Sequence, residues 1–130
     1  MVVVVDDDPL VRRCLARELR RDFQVLEADG PAAALEVLTL LYVSAVVSDL
    51  DMDGNALAGM KLLEQVQANF PGCARLLVSG SPDALAASAG ADRFIEKPWR
   101  PGEVVAAVRT LLETSSTPSI PTPSQEGAGR

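Results

Sequence analysis

The sequence predicts an α/β fold in which five parallel strands form a doubly wound sheet with helices on both faces. Short apolar runs alternate along the chain with longer segments of helical periodicity. The apolar runs contain few polar positions, which is typical of parallel strands that are buried on both faces. The chain has 130 residues and no internal repeat, so we expect one domain.

The first half of the chain contains three of the predicted strands and the first two helices. The first strand is Val2–Val5, and the helix that follows it has Asp8 as its N-cap, directly before a proline. A second strand is predicted over 23–28, and a second helix begins at Pro31. The third strand is Ala45–Ser48, which ends abruptly at an acidic residue.

The second half of the chain contains the remaining two strands and three helices. After the last helix the sequence becomes rich in Ser, Thr, Pro and Gly, so we predict a domain over 1–113 and a disordered tail or linker over 114–130. The predicted elements are a helix over 57–69, a strand over 75–79, a short helix over 82–89, a strand over 93–96 and a last helix from 103.

Right-handed crossovers leave few arrangements of these strands. The flavodoxin-like order 2-1-3-4-5 places the first and third strands side by side, with a switch point at their carboxyl ends. This order brings Asp6 and Asp7 beside Asp49. Because three adjacent carboxylates repel one another unless a cation or protons intervene, we expect a divalent metal there. Oxygen ligands favour Mg²⁺ or Mn²⁺.

The composition excludes several kinds of chemistry. The chain has no histidine, which excludes Ser-His-Asp hydrolysis, Cys-His proteolysis and histidine-ligated zinc. Its net charge of −6 argues against direct binding of nucleic acid by this domain. We expect no membrane span and no signal peptide. The two cysteines are too few for a disulfide framework and indicate plain thiols in a reducing cytoplasm.

With these residues in place, the chain resembles the receiver domains of bacterial two-component response regulators, of the kind found in chemotaxis regulators. The resemblance extends from Val2 to about Leu112. Each matching motif follows a predicted strand or lies within one. The motifs are the acidic pair Asp6-Asp7, Asp49 followed by Met52, Ser79-Gly80, Gly90-Ala91, Phe94 and Lys97-Pro98.

The resemblance implies that Asp49 accepts a phosphoryl group from the phosphohistidine of a sensor histidine kinase or phosphotransfer protein. It implies that Asp7 and Asp49 hold Mg²⁺ directly, with Asp6 acting through water and the backbone carbonyl of Asp51 completing the set. Lys97 would neutralise charge on the transferring oxygens.

The resemblance also implies a conformational switch. Ser79 would donate its hydroxyl to a phosphoryl oxygen, and Phe94 would rotate into the space that this movement vacates. Such a domain is not an enzyme beyond self-phosphoryl transfer and slow autodephosphorylation. It controls a partner protein or an appended output domain, and a homodimer is a further possibility.

Three features depart from the family pattern. Asp53 stands where the family usually has proline, and the loop reaches Gly59 later than the pattern does. An acid at position 53 could modulate metal affinity or hydrolysis of the acyl phosphate. The favoured interpretation is that its side chain is simply solvated. Only 18 positions separate Ser79 from Lys97, which shortens the predicted fourth helix to about two turns.

Three alternatives remain beside this interpretation. The first is a degenerate receiver that acts as a phosphorylation-independent protein-interaction module. The second is an aspartyl-nucleophile phosphatase, which would need the motif on the first strand and acidic ligands later in the chain. The third is a calcium-binding EF-hand loop starting at Asp49, but its twelfth position is Met60 instead of Glu, and a strand precedes it.

Overall fold

The computed structural model of the protein describes residues 1–80 and 90–116. Five strands and four helices lie along these residues. The strands are β1 (Val2–Val5), β2 (Val25–Ala28), β3 (Ala45–Ser48), β4 (Ala74–Ser79) and β5 (Arg93–Glu96). The helices are α1 (Pro9–Leu19), α2 (Pro31–Leu40), α3 (Ala58–Asn69) and α4 (Glu103–Ser116).

The strands form one parallel sheet in the order β2-β1-β3-β4-β5. The central strand β1 pairs with both of its neighbours, so that Val5 lies opposite Ala28 on one side and opposite Ser48 on the other. Because every strand runs in the same direction, all five carboxyl ends meet at one edge of the sheet. The predicted α/β class and flavodoxin-like strand order are confirmed.

Two apolar layers cover the sheet, and successive strand residues point into opposite layers. In β1, Val3 and Val5 belong to the layer that contains residues of α2 and α3, whereas Val2 and Val4 belong to the layer with α1 and α4. None of these four valines has exposed surface. Burial on both faces explains why the strand sequences are continuously apolar.

Two strand boundaries differ from the predicted ones. β2 begins at Val25 because the N–H of Phe23 donates to the carbonyl of Leu19 over 2.9 Å and closes the turn after α1. β4 begins one residue early because the N–H of Ala74 donates to the carbonyl of Ser44 over 2.9 Å. The turn that closes α1 sets the first boundary, and a hydrogen bond to the residue before β3 sets the second, so apolar patterning alone locates neither.

Two predicted segments fall wholly or partly outside the described residues. The short helix over 82–89 lies outside them entirely. Of the predicted tail, residues 117–130 also lie outside, so the tail stays a prediction, while α4 extends to Ser116. Within 1–80 and 90–116, no helix is both long and apolar enough to cross a bilayer.

Helix α1 begins at the N-cap that the sequence predicts. The Oδ1 atom of Asp8 accepts hydrogen bonds from the N–H groups of Leu10 at 2.9 Å and Val11 at 3.4 Å. Pro9 occupies the first helical position, where no N–H is needed. Such a cap contributes about 1 kcal/mol and fixes the point at which the chain leaves β1 and enters the helix.

The two cysteines are free thiols, as the sequence predicts, and their surroundings differ. Cys14 is exposed on α1, whereas Cys73 is buried before β4. Burial raises the pKa of the Cys73 thiol to about 11. A thiol with so high a pKa is protonated and therefore unreactive at neutral pH.

Gly59 allows α3 to pack directly on the end of β3. Its N–H donates to the carbonyl of Leu50 over 2.8 Å. A Cβ at this position would lie 1.9 Å from the carbonyl oxygen of Asp49 and 2.8 Å from the Cα of Leu50. Those atoms belong to the main chain, so any side chain at residue 59 displaces the segment that carries Asp49.

We predict that Gly59→Ala lowers the free energy of unfolding by about 3 kcal/mol, because relieving the overlap requires backbone movement. Urea denaturation measures the change. The control is Gly72→Ala, since a Cβ there meets no atom within 4 Å. That variant should stay within about 0.5 kcal/mol of the parent protein. Equal stability of the two variants would contradict the prediction.

Candidate functional site

The acidic residues that follow β1 and β3 meet at the carboxyl edge of the sheet. Val5 and Ser48 are register partners, and the N–H of Asp49 donates to the carbonyl of Val5 over 3.0 Å. This pairing places Asp49 beside Asp6, the first residue after β1. Asp6, Asp7 and Asp49 each offer a carboxylate oxygen, and these oxygens lie within 4.8 Å of one another. The predicted convergence of the three acids is therefore found.

Lys97 reaches this cluster from the end of β5. Its main-chain N–H donates to the carbonyl of Ser79 over 3.1 Å, which holds it beside the end of β4. Its Nζ atom lies 3.1 Å from Oδ2 of Asp6 and 3.4 Å from Oδ1 of Asp49. One ammonium group therefore lies between two of the three carboxylates. The side chain is 22% exposed; it crosses the end of β4 to reach Asp49 and the ends of β4 and β3 to reach Asp6.

Asp6 is the most deeply buried of the three acids, with 1% of its side chain exposed. Burial is the main reason why the pKa of its carboxyl is raised above the ordinary value, and the charge of Asp49 raises it further. The N–H of Asp8, which donates to Oδ1 over 2.9 Å, and the ammonium of Lys97 both lower the pKa without cancelling the rise. The site therefore holds a carboxylate whose negative charge is only partly compensated.

Asp49 is held by its own main chain and stays accessible. Its Oδ1 atom accepts the N–H of Leu50 over 2.8 Å, and its side chain is 11% exposed. The Ser48 hydroxyl donates to the carbonyl of Asp49 over 2.8 Å. Leu50 and Lys97 both contact Oδ1, and no hydrogen bond or ion pair within residues 1–80 and 90–116 engages Oδ2.

Asp7 is exposed and is oriented by the loop after β3. Its Oδ2 atom accepts the main-chain N–H of Asp53 over 3.0 Å. Asp53 is thus tied to the acidic cluster through its backbone, a contact that the sequence did not indicate. Asp51 is exposed two residues beyond Asp49, and its predicted role as a carbonyl ligand stays a prediction.

The two predicted switch residues lie on the adjacent strands β4 and β5. Ser79 is buried at the end of β4, and its carbonyl accepts the N–H of Lys97. Phe94 is half-buried on β5 opposite Leu77 and packs against the apolar layer that α2 and α3 share. Both residues belong to the strands that carry Lys97 to the acids, and their switching roles stay predictions.

Arg12 is a site residue that the sequence does not identify, because its position on α1 is compatible with an ordinary solvent-facing arginine. Its guanidinium donates to the main-chain carbonyl of Asp6 over 3.0 Å and to Oε1 of Glu27 over 3.1 Å. Its side chain is 18% exposed. Helical side chains lean toward the helix N-terminus, so an arginine one turn after the Asp8 cap was a usable signal.

The donor set suits a small divalent cation. The three acids of the cluster supply only oxygen, which is the ligand type that Mg²⁺ and Mn²⁺ prefer. The buried acid carries incompletely compensated charge, which a cation would balance. The residues present therefore fit such a metal, with Asp6, Asp7 and Asp49 as the available carboxylates.

Comparison with known proteins identifies the family and the fold of the chain. The family profile described as "Response regulator receiver domain" matches residues 2–109. The hydrogenase transcriptional regulatory protein HoxA of Cupriavidus necator is 33% identical over 86% of this chain and 24% of its own length. The transcriptional regulatory protein FixJ of Azorhizobium caulinodans is 34% identical over 88% of this chain and 56% of its own. The chain thus spans about a quarter to a half of these regulators.

Among solved structures, the response regulator protein TrrA of Thermotoga maritima, crystallised in complex with Mg(2+)-BeF, superposes with a TM-score of 0.77. It is 22% identical, and the superposition covers 85% of this chain and 96% of that one, which shows a shared fold. Because the family profile matches most of its length, this chain belongs to the response regulator receiver domain family.

Proposed function

We propose that this receiver accepts a phosphoryl group on Asp49 from the phosphohistidine of a sensor histidine kinase or phosphotransfer protein, in a reaction that depends on Mg²⁺. The observation that carries the proposal is the position of the Asp49 carboxylate between two acids and one ammonium group. Oxygens of Asp6, Asp7 and Asp49 lie within 4.8 Å of one another, and Nζ of Lys97 lies 3.4 Å from Asp49.

In the proposed reaction the Oδ2 atom of Asp49 attacks phosphorus while the bond from phosphorus to the donor's imidazole nitrogen breaks. The imidazole leaves with the electron pair of that bond and takes a proton from solvent. The product is an acyl phosphate on Asp49. Since the donor supplies the phosphoryl group, no other co-reactant is needed.

Both reacting groups are anionic, so positive charge must be present where they meet. When bound, Mg²⁺ supplies charge neutralisation to the transferring oxygens. Asp7 and Asp49 are the proposed direct ligands, with Asp6 acting through water and the carbonyl of Asp51 completing the set. The Mg(2+)-BeF complex of TrrA supports this assignment by analogy, and Mn²⁺ is expected to substitute for Mg²⁺.

Lys97 is proposed to exchange partners during the reaction. Its ammonium contacts two carboxylates, and an acyl phosphate on Asp49 would present new anionic oxygens in the same place. A displacement of Lys97 would also displace Ser79, because the carbonyl of Ser79 accepts the main-chain N–H of Lys97. The proposed switch then uses the Ser79 hydroxyl to hold a phosphoryl oxygen, and Phe94 follows on the neighbouring strand.

The proposed output is control of a partner protein or of an appended domain. This chain spans only part of HoxA and FixJ, whose names describe transcriptional regulators, so an output domain is compatible with the family. The net charge of −6 favours protein partners over direct nucleic-acid binding by the receiver itself. The cytoplasm is the proposed compartment, in keeping with two free thiols, and homodimerisation stays a possible consequence of activation.

We predict that acetyl phosphate with Mg²⁺ adds one phosphoryl mass to the protein, as measured by intact mass spectrometry. Asp49→Asn should abolish the addition, because an amide cannot form the acyl phosphate. Glu36→Ala, which changes an exposed residue of α2, is the control and should be modified like the parent. An unmodified parent protein would favour the degenerate-receiver alternative.

We also predict that Mg²⁺ raises the melting temperature, because a cation relieves repulsion among the acids and binds only the folded cluster. Asp7→Ala should remove most of this rise, since it deletes a proposed ligand. Thermal denaturation with and without Mg²⁺ measures both effects, again with Glu36→Ala as the control. A rise of the same size in Asp7→Ala would exclude Asp7 as a ligand.

A third prediction concerns pH. Because the pKa of Asp6 is raised in the folded protein, the folded state binds more protons than the unfolded state between the ordinary and the raised pKa. In EDTA, stability should therefore fall as pH rises through that interval. Asp6→Asn should flatten this part of the curve, and Mg²⁺ should stabilise the parent more at higher pH. Urea denaturation at a series of pH values tests it, and identical curves for parent and variant would contradict it.

A further inference from the structure

The loop after β3 contains a two-residue hairpin turn. The N–H of Met52 donates to the carbonyl of Asn55 over 3.1 Å, and the N–H of Asn55 donates to the carbonyl of Met52 over 2.9 Å. The central residues Asp53 and Gly54 have φ angles of 53° and 74°. Two positive φ angles are characteristic of a type I′ turn, for which Asp-Gly is a preferred sequence.

A main-chain N–H group of this turn donates a hydrogen bond to Asp7, a proposed metal ligand. The N–H of Asp53 donates to Oδ2 of Asp7 over 3.0 Å, across 46 positions of sequence. Asp7 is exposed at the start of the loop after β1. The hydrogen bond fixes one of its oxygens and leaves Oδ1 as the second oxygen of an oriented carboxylate.

The carboxylate of Asp53 lies elsewhere, near Gly30, the residue directly before α2. Its Oδ2 atom is 3.1 Å from where a Cβ on Gly30 would stand. Gly30 is the N-cap of α2 and provides no side-chain hydrogen bond to the helix. A negative charge is favourable at that end of a helix. The side chain of Asp53 therefore lies near the N-terminus of α2, whereas its main-chain N–H contacts Asp7.

We infer that Asp53 is a positioning residue whose main-chain N–H orients Asp7 to bind Mg²⁺. The inference rests on the proposed function, because it assumes that Asp7 is a ligand. Removing a group that donates a hydrogen bond to a metal ligand typically lowers metal affinity by about 10- to 100-fold. Proline at this position has no N–H and cannot adopt positive φ, so a receiver with proline here orients the corresponding acid without this bond.

The test measures the Mg²⁺ dissociation constant of the full chain by isothermal titration calorimetry. Asp53→Asn and Asp53→Gly keep the N–H and accept positive φ, so both should bind Mg²⁺ within about twofold of the parent. Asp53→Pro removes the donor and should bind at least about tenfold more weakly. Weakening of the Asn and Gly variants by as much as the proline variant would assign the effect to the carboxylate and overturn the inference.

Because proline also reshapes the turn, a second variant isolates the N–H. Replacing the amide at residue 53 by an ester, through the α-hydroxy analogue of aspartate, removes the donor and keeps the side chain. This ester should weaken Mg²⁺ binding about tenfold, whereas an ester at residue 54 should not change it. Unchanged affinity of the residue 53 ester overturns the inference. A parent protein that does not bind Mg²⁺ overturns the proposed function instead.

Discussion

Repulsion among carboxylates at the junction of β1 and β3 is the constraint on which the site depends. Two unit charges about 4 Å apart interact by about 4 kcal/mol at an effective dielectric constant of 20. Asp6 is almost wholly buried, so water screens its charge poorly. Lys97 compensates part of that charge, with contacts of 3.1 Å to Asp6 and 3.4 Å to Asp49. The negative charge of the three acids therefore exceeds the positive charge of Lys97, and this excess favours the binding of a cation.

The rest of the fold holds these charges together against their repulsion. The parallel pairing of β1 with β3 fixes the main chain at both acids, and Arg12 holds the carbonyl of Asp6 from the first turns of α1. Gly59 lets α3 pack against the carbonyl of Asp49. Each contact acts on backbone atoms, which move less than side chains. The apolar layers on both faces of the sheet supply the free energy that keeps the acids close.

The same geometry connects the chemistry to the far strands of the sheet. Lys97 is linked to Ser79 through its backbone and to two acids through its side chain. In the proposed reaction, a change of charge at Asp49 therefore acts on β4 and β5 directly, without a longer chain of contacts. The hairpin at Asp53 adds a second connection, from the loop after β3 back to Asp7. The residues that follow β1, β3 and β5 thus frame the site, joined by hydrogen bonds and by the ion pairs of the Lys97 side chain.

By itself, the sequence determined the five strands, the four helices of the described residues, the strand order and the meeting of Asp6, Asp7 and Asp49. Apolar periodicity is a local signal, and the rules of parallel connection leave few ways to join such elements. It also suggested Lys97 as the opposing cation. Tertiary structure alone decided the start of β4, the hydrogen bond from Arg12 to the carbonyl of Asp6 and the contact between Asp53 and Asp7. Those features depend on hydrogen bonds between residues distant in the chain or on the direction of a single side chain. The hydrogen-bond partner of a polar residue depends on which backbone donor the fold brings close to it. A local sequence pattern does not contain that information.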